Sequence, residues 1–275
     1  MVLGLTGFVL LGVSDMASVP HSTAYPWALT GVFAAFHFVV SLLPYTPAGT
    51  GVITWGMVSA ALVGFILGPV YGTISVGMGS ALTMVAFPSV AVISIFTPLA
   101  PMAGAMTAGA IVVRRPWIVY GLFGVMILVF LLGPIGIMAR GFLWLHYSTL
   151  MFSFLFIVPG VSDRLRNGLT FSLGTSTIVS ALAYWFIGFC ALMADNLVGS
   201  ALYQYYAISI GLDAASLAAI YIGIMFVYPI ERGLASIILA AIALATGRAL
   251  LSAHLRLPLV GVPIRETEEM LRLKE

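Results

Sequence analysis

Apolar residues run along this chain in unbroken blocks rather than at every second position, and Pro, Gly or charged residues punctuate the blocks. A helix needs about 20 apolar residues to cross a ~30 Å hydrocarbon core, whereas membrane strands alternate over about ten residues. The pattern therefore predicts an all-α fold, a polytopic transmembrane helical bundle of about eight spans. The first four are Pro26–Leu43, Gly51–Gly68, Val70–Phe87 and Ser94–Val113. The others are Trp117–Met138, Phe142–Val158, Gly168–Met193 and Pro229–Leu250. Pro44 and Pro47 close the first, Pro69 divides the second from the third, and Arg114-Arg115-Pro116 ends the fourth. Ala215–Val227 is apolar but only long enough for an interfacial or re-entrant helix, expected on the extracellular side. Met1–Val13 lacks the basic flank of a signal peptide and reads as an additional N-terminal helix, interfacial or partly inserted.

Composition strengthens this picture. Only 7% of the 275 residues are charged, and the first Lys or Arg is Arg114. A soluble surface carries roughly 25–35% charged residues, so lipid is the solvent here. The whole chain reads as one integral membrane domain: an N-terminal segment 1–25, the bundle 26–250 and a tail 251–275. If Arg114 and Arg115 are cytoplasmic, span alternation also puts Arg164, Arg166, Arg248, Arg256, Arg265, Arg272 and Lys274 inside. Only Arg140 and Arg232 then lie outside or in the membrane. That asymmetry is the positive-inside signature, and it places both ends of the core and the tail in the cytoplasm of a multi-pass cell-membrane protein.

Several chemistries lack their residues. A net charge of +2 without a basic run gives no footprint for nucleic acid. The single Cys190 permits neither an internal disulfide nor a cysteine metal cage. The only Lys is Lys274, so no P-loop exists to cradle nucleotide phosphates. His21, His37, His146 and His254 are scattered and suit packing or interface hydrogen bonds better than metal ligation. No cofactor, no metal and no catalytic residue is expected, and the chain does not read as an enzyme.

Two polar interruptions remain. Asp195-Asn196 ends the seventh predicted span and leads to Gly199, Ser200 and the run Tyr203-Gln204-Tyr205-Tyr206. Glu231-Arg232 lies just inside the last span after Pro229. Charge in a membrane helix costs roughly 2.5–3.5 kcal/mol at its centre and less near the ends. Both spots fall towards the extracellular side in this orientation. Together they could supply a carboxylate, an amide, a cation and aromatic faces around one small-molecule site. Capping and pairing within the chain, or an interfacial aromatic belt at Tyr203–Tyr206, would use the same residues without a ligand. Small residues mark close helix approaches: Gly68 and Gly72, then Gly79, then Gly233, Ser236 and Gly247, with Gly31 and Ala35 on the first span.

The junction Gly64-Phe65-Ile66-Leu67-Gly68-Pro69-Val70-Tyr71-Gly72, following a first helix with a small-xxx-small pair and a Pro/Gly loop, resembles the substrate-binding membrane subunits of energy-coupling factor vitamin transporters. Asp195-Asn196 and the opening Pro229-Ile230-Glu231-Arg232 of the last span are similar to members of the same group. The resemblance implies a subunit that captures a vitamin-like micronutrient from outside and lacks its own ATPase. Its partners would be a transmembrane coupling subunit and ABC-type ATPase subunits. Pro44–Trp55, with Trp55 at its end, would lid the site, and Gly31 and Ala35 would dock the coupling protein. Asp195, Asn196 and Glu231, with Arg232, Tyr203 and Gln204 beside them, would bind substrate. The typical family member has six helices, so the hairpin Trp117–Val158 would be an insertion. The alternatives are an ion-gradient-driven secondary transporter, weakened by the absence of Asp and Glu from the first six spans, and a membrane-embedded enzyme or assembly subunit using Asp195, Glu231 and His146.

Overall fold

The computed structural model describes residues 24–48, 51–158, 160–163, 169, 176–253 and 258–259. The expectations for Met1–Val13, His21, Arg164, Arg166, His254 and the tail cations Arg256, Arg265, Arg272 and Lys274 lie outside those residues.

The described chain is a helical bundle. It begins with α1 (Ala24–Ser41), a hairpin of β1 (Pro44–Ala48) and β2 (Gly51–Thr54), and α2 (Gly56–Ala86). It continues through α3 (Leu99–Val112), α4 (Pro116–Leu131) and α5 (Trp144–Ser153). Then come α6 (Thr177–Ser209), α7 (Ala214–Ile224) and α8 (Val227–Ser252). Five helical stretches, Ala24–Ser41, Gly56–Ala86, Ser94–Val112, Thr177–Ser209 and Val227–Leu250, are long and apolar enough to cross a membrane. The chain is a membrane protein with transmembrane helices.

α2 is not one rod. Gly68 adopts φ 77° and ψ −178° inside it, directly before Pro69. His37 bonds Ser59 Oγ through Nδ1 and Ser80 Oγ through Nε2, each at 2.8 Å, which keeps the two serines within roughly 8 Å of each other; 21 residues of straight helix would separate them by about 31 Å. A Cβ on Gly72 would sit 3.0 Å from Gly64 Cα. Helix α2 therefore doubles back at Gly68-Pro69 into two antiparallel arms, residues 56–67 and 69–86, matching the division of the second predicted span from the third. Gly supplies the left-handed turn, and Pro supplies a fixed φ while needing no hydrogen-bonded N–H.

That fold-back orders the bundle. α1 runs parallel to the second arm, with Trp27 against Tyr71 and Ser75 Oγ–H donating to the Thr30 carbonyl. It runs antiparallel to the first arm, with Ser41 beside Gly56. α3 then descends along the first arm, Ala105 meeting Gly64 and Gly109 meeting the Gly68–Pro69 backbone. It stops in a reverse turn: Arg115 N–H reaches the Ala110 carbonyl at 2.7 Å and Arg114 N–H the Ile111 carbonyl at 3.0 Å, with Arg114 left-handed at φ 59°. Pro116 at the start of α4 cannot continue the old helix but suits a new one. Arg114 and Arg115 thus sit at the Gly68 end of the bundle. Arg248 joins that end of the chain's later half, donating from Nη2 to Thr177 Oγ1 at 2.7 Å.

Several predicted boundaries are corrected. α6 does not end at Met193 but passes through Asp195-Asn196 to Ser209. Neither residue breaks a helix by itself; each costs only about 0.7 kcal/mol relative to Ala, and here both have polar neighbours to face. The fifth run is helical only to Leu131, where the Gly133-Pro134-Gly136 turn begins. The sixth run yields a helix of 10 residues, Trp144–Ser153, flanked by tight turns at Arg140–Leu143 and Phe154–Phe156. The helix expected near 215–227 is α7, capped by Asp213 Oδ2 accepting from Ser216 N–H at 2.9 Å. The proline-rich turn after α1 is a paired β-hairpin rather than an open loop, Pro44 opposite Thr54 and Ala48 opposite Gly51.

Candidate functional site

At the end of the bundle away from Gly68, the helices separate around one cavity of about 400 Å³. That volume lies within the ~300–1,000 Å³ range of small-molecule sites. β2 covers it with Ile53 and Thr54, next to Gly56 and Met57 at the start of α2. α1 and the second arm of α2 contribute His37, Ser41, Ser80 and Thr83. α6 contributes Asp195, Asn196 and Tyr203, and α8 contributes Tyr228, Glu231 and Arg232.

The wall on the α1 side is internally satisfied. His37 is fully buried and bridges Ser59 and Ser80, with Ser41 Oγ a further 3.4 Å contact. In either neutral tautomer one ring nitrogen donates and the other accepts, so two hydroxyls complete it. The clamp ties α1 to both arms of α2 at the cavity edge.

The α6 wall is held from behind. His146 of α5 is buried and lies 3.0 Å, through Nε2, from Asn196 Oδ1. That contact fixes the Asn196 side chain and leaves its other amide atom for the cavity. Asp195 packs beside Gly104 of α3, where an added Cβ would approach Asp195 Cβ to 3.4 Å. Tyr221 O–H donates to the Ser200 carbonyl at 2.8 Å, tying α7 across α6.

The α8 wall is different. Arg232 is only 3% exposed, donates from Nη1 to the thioether sulfur of Met57, and lies 5.6 Å from the centre of the Tyr228 ring. Its Nε is buried with no hydrogen-bond partner, and so is Glu231 Oε1. A thioether is a weak acceptor, and an uncompensated buried charge costs several kcal/mol. Arg232 and Glu231 both line the cavity, and each keeps one buried polar atom that no protein group satisfies. The hairpin lies near them, where Tyr45 packs edge-on against Trp55 at 4.8 Å. Its phenol is pushed above the ordinary value first by burial and then by the Glu231 charge, against a lowering from Arg232.

Of the residues singled out in the sequence, Asp195, Asn196, Tyr203, Glu231 and Arg232 line this cavity together. Trp55 and Gln204 do not. Trp55 precedes α2 and supports the hairpin through Tyr45 and the Leu43 carbonyl. Gln204 is fully buried on another face of α6, accepting from Ile135 N–H at 3.2 Å and donating to the Phe130 carbonyl at 3.1 Å. It satisfies the backbone of the turn after α4, work that a polar residue in an aromatic run does not announce. Gly72 and Gly79 sit at close backbone approaches, whereas Gly68 is the turn itself. Ser236 is buried and bonds the Gly233 carbonyl, Gly247 is buried, and Gly233 has open space where a Cβ would go. Gly31 also faces open space, with Ala35 exposed beside it.

His37, Met57 and Ser80 were not placed at the site by sequence reasoning, and His146 entered only in the alternative enzyme reading, beside Asp195 and Glu231. The signal for His37 was available: it is an imidazole in an otherwise uncharged first span, four residues before Ser41. Met57 comes from a distant segment and had none. Among the described residues no three His, Cys, Asp or Glu side chains gather to hold a metal. Comparison with protein-family models, with curated proteins and with solved structures returns no match to this chain.

Proposed function

We propose that this protein is the substrate-binding membrane subunit of an ATP-driven micronutrient uptake system. It takes a vitamin-like small molecule from the extracellular side and relies on a coupling subunit and ATPases for energy. One observation carries the reading: Arg232 and Glu231, both with buried unpartnered atoms, line a 400 Å³ cavity bordered by strand β2. Such a hollow is costly for a protein that only scaffolds. It suits one whose ligand supplies the missing hydrogen bonds.

Three features support the rest of the reading. The cavity lies at the end away from Arg114 and Arg115, and in the proposed orientation, with those arginines cytoplasmic, that end is extracellular. The chain has no nucleotide-binding lysine motif of its own. The exposed face of α1 around Gly31 and Ala35 offers a flat surface on which a coupling helix could pack.

The test is reconstitution. The purified chain should retain a small metabolite, identifiable by mass spectrometry after denaturation, and should import nothing into liposomes under proton or sodium gradients. Uptake should appear only with co-purified coupling and ATPase subunits and ATP. Gradient-driven import by the lone chain would overturn the assignment in favour of a secondary transporter.

A further inference from the structure

We infer that the cavity selects an amphoteric ligand, one presenting an anionic group to Arg232 and a protonated nitrogen to the carboxylates of Glu231 and Asp195. The inference rests on reading this cavity as the substrate site, but not on how transport is energised.

The argument begins with what each unpaired atom needs. Arg232 can only donate, and its Nε–H is buried without an acceptor. The Met57 sulfur that receives Nη1 is too weak an acceptor to compensate a guanidinium. A carboxylate-like group in the cavity would offer the guanidinium the paired acceptor that its planar edge favours. Glu231 has the opposite need. An ionised carboxylate only accepts, and its Oε1 has no donor.

Adjacent positions on a helix do not face each other, so Glu231 and Arg232 cannot cancel by direct pairing. Asp195 adds a second carboxylate across the cavity, on α6. His37, the imidazole on these walls, is already occupied by two serines. The walls carry two carboxyl groups and one guanidinium. A simple anion would meet Arg232 but be repelled by the carboxylates, and a simple cation would leave Arg232 unpaired. A ligand carrying both groups meets each requirement. The volume of about 400 Å³ and the Tyr203 and Tyr228 rings leave room for a ring between them.

The experiment uses binding alone. The purified full-length protein in detergent is titrated with matched compounds on indole and imidazole scaffolds: tryptophan, tryptamine and indole-3-propionate; histidine, histamine and imidazole-propionate. At least one amphoteric member should bind tenfold or more tighter than both of its single-charge partners. Arg232→Lys should weaken that compound at least tenfold and leave the amine unchanged, because it keeps the charge but loses the planar edge. Glu231→Gln should weaken the amphoteric compound and the amine, and should bind the acid at least as tightly as wild type. The wild-type ranking stands even if a variant fails to fold.

A single-charge compound binding as tightly as its amphoteric partner, or no amphoteric compound binding in either set, would overturn the inference. So would a metabolite retained through purification that lacks either charge. Gradient-driven import by the lone chain leaves this ranking untouched, so the two readings fail separately.

Discussion

The two ends of the α2–α3 layer are built to opposite specifications. At the Gly68 end, backbones touch: Gly64 meets Ala105, Gly72 meets Gly64, and Gly109 meets Pro69. At the other end, the same helices part and leave polar and charged side chains around a hollow. In lipid there is no hydrophobic drive to close helices together, so contact must come from close packing of small residues. The tight end supplies that contact, and the open end can then hold groups whose partners are absent from the chain. Rigidity at one end is what permits incompleteness at the other.

The contrast can be broken most severely at Gly109. A Cβ there would lie 2.4 Å from Pro69 N, a backbone atom that cannot swing aside. Gly109→Val should cost at least the ~1–3 kcal/mol of an overpacked core. Size-exclusion chromatography and a thermal melt in detergent should show a large loss of monodisperse, folded protein; a wild-type melt would mean the turn is not where the helices meet.

Neutralising the open end should do the reverse. Replacing a buried unsatisfied charge pair by apolar or neutral groups is often neutral or stabilising, by about 1–4 kcal/mol. The double variant Glu231→Gln/Arg232→Met should therefore melt no lower than wild type while losing ligand binding. A marked drop in melting temperature would show that the two charges hold the fold rather than a ligand.

Gln204→Leu tests a polar group that is satisfied. It would leave Ile135 N–H and the Phe130 carbonyl without their side-chain partners. The expected loss is about 1–3 kcal/mol for buried groups left unpaired, read from the melt, with the ligand affinity of the folded fraction unchanged. Gly31→Leu should leave the melt unaltered, since nothing lies within 4 Å of its Cβ position, yet abolish co-purification with a coupling subunit.

The smallest effect belongs to Asp213, fully exposed at the head of α7. Backbone and side-chain hydrogen bonds from Ser216 hold its carboxyl below the ordinary 3.8. A depressed folded pKa contributes stability above the unfolded value that is lost as pH falls through the folded one. Asp213→Ala should thus speed amide exchange in α7 near neutrality and change little in strong acid.

Much of this architecture could be read directly. Long apolar runs without charge imply membrane helices, because no other solvent tolerates them, and Gly68-Pro69 divides two spans because that pair accommodates a sharp reversal. Asp195, Asn196, Glu231 and Arg232 were conspicuous as polar groups in apolar sequence. The β-hairpin is not legible as strands: the sequence reads as a proline-rich loop running into a span at Gly51, whereas Gly51–Thr54 pairs with Pro44–Ala48 and the helix starts at Gly56.

The chain alone therefore determines its solvent, its helical character and its few polar positions, since hydropathy and charge are local properties of each residue. Only tertiary structure decides which polar positions meet. Asn196 and Gln204 lie eight residues apart on one helix, yet one faces a cavity and the other braces a turn. Their difference comes from neighbours supplied by distant segments, α5 and α8 on one side and the turn after α4 on the other.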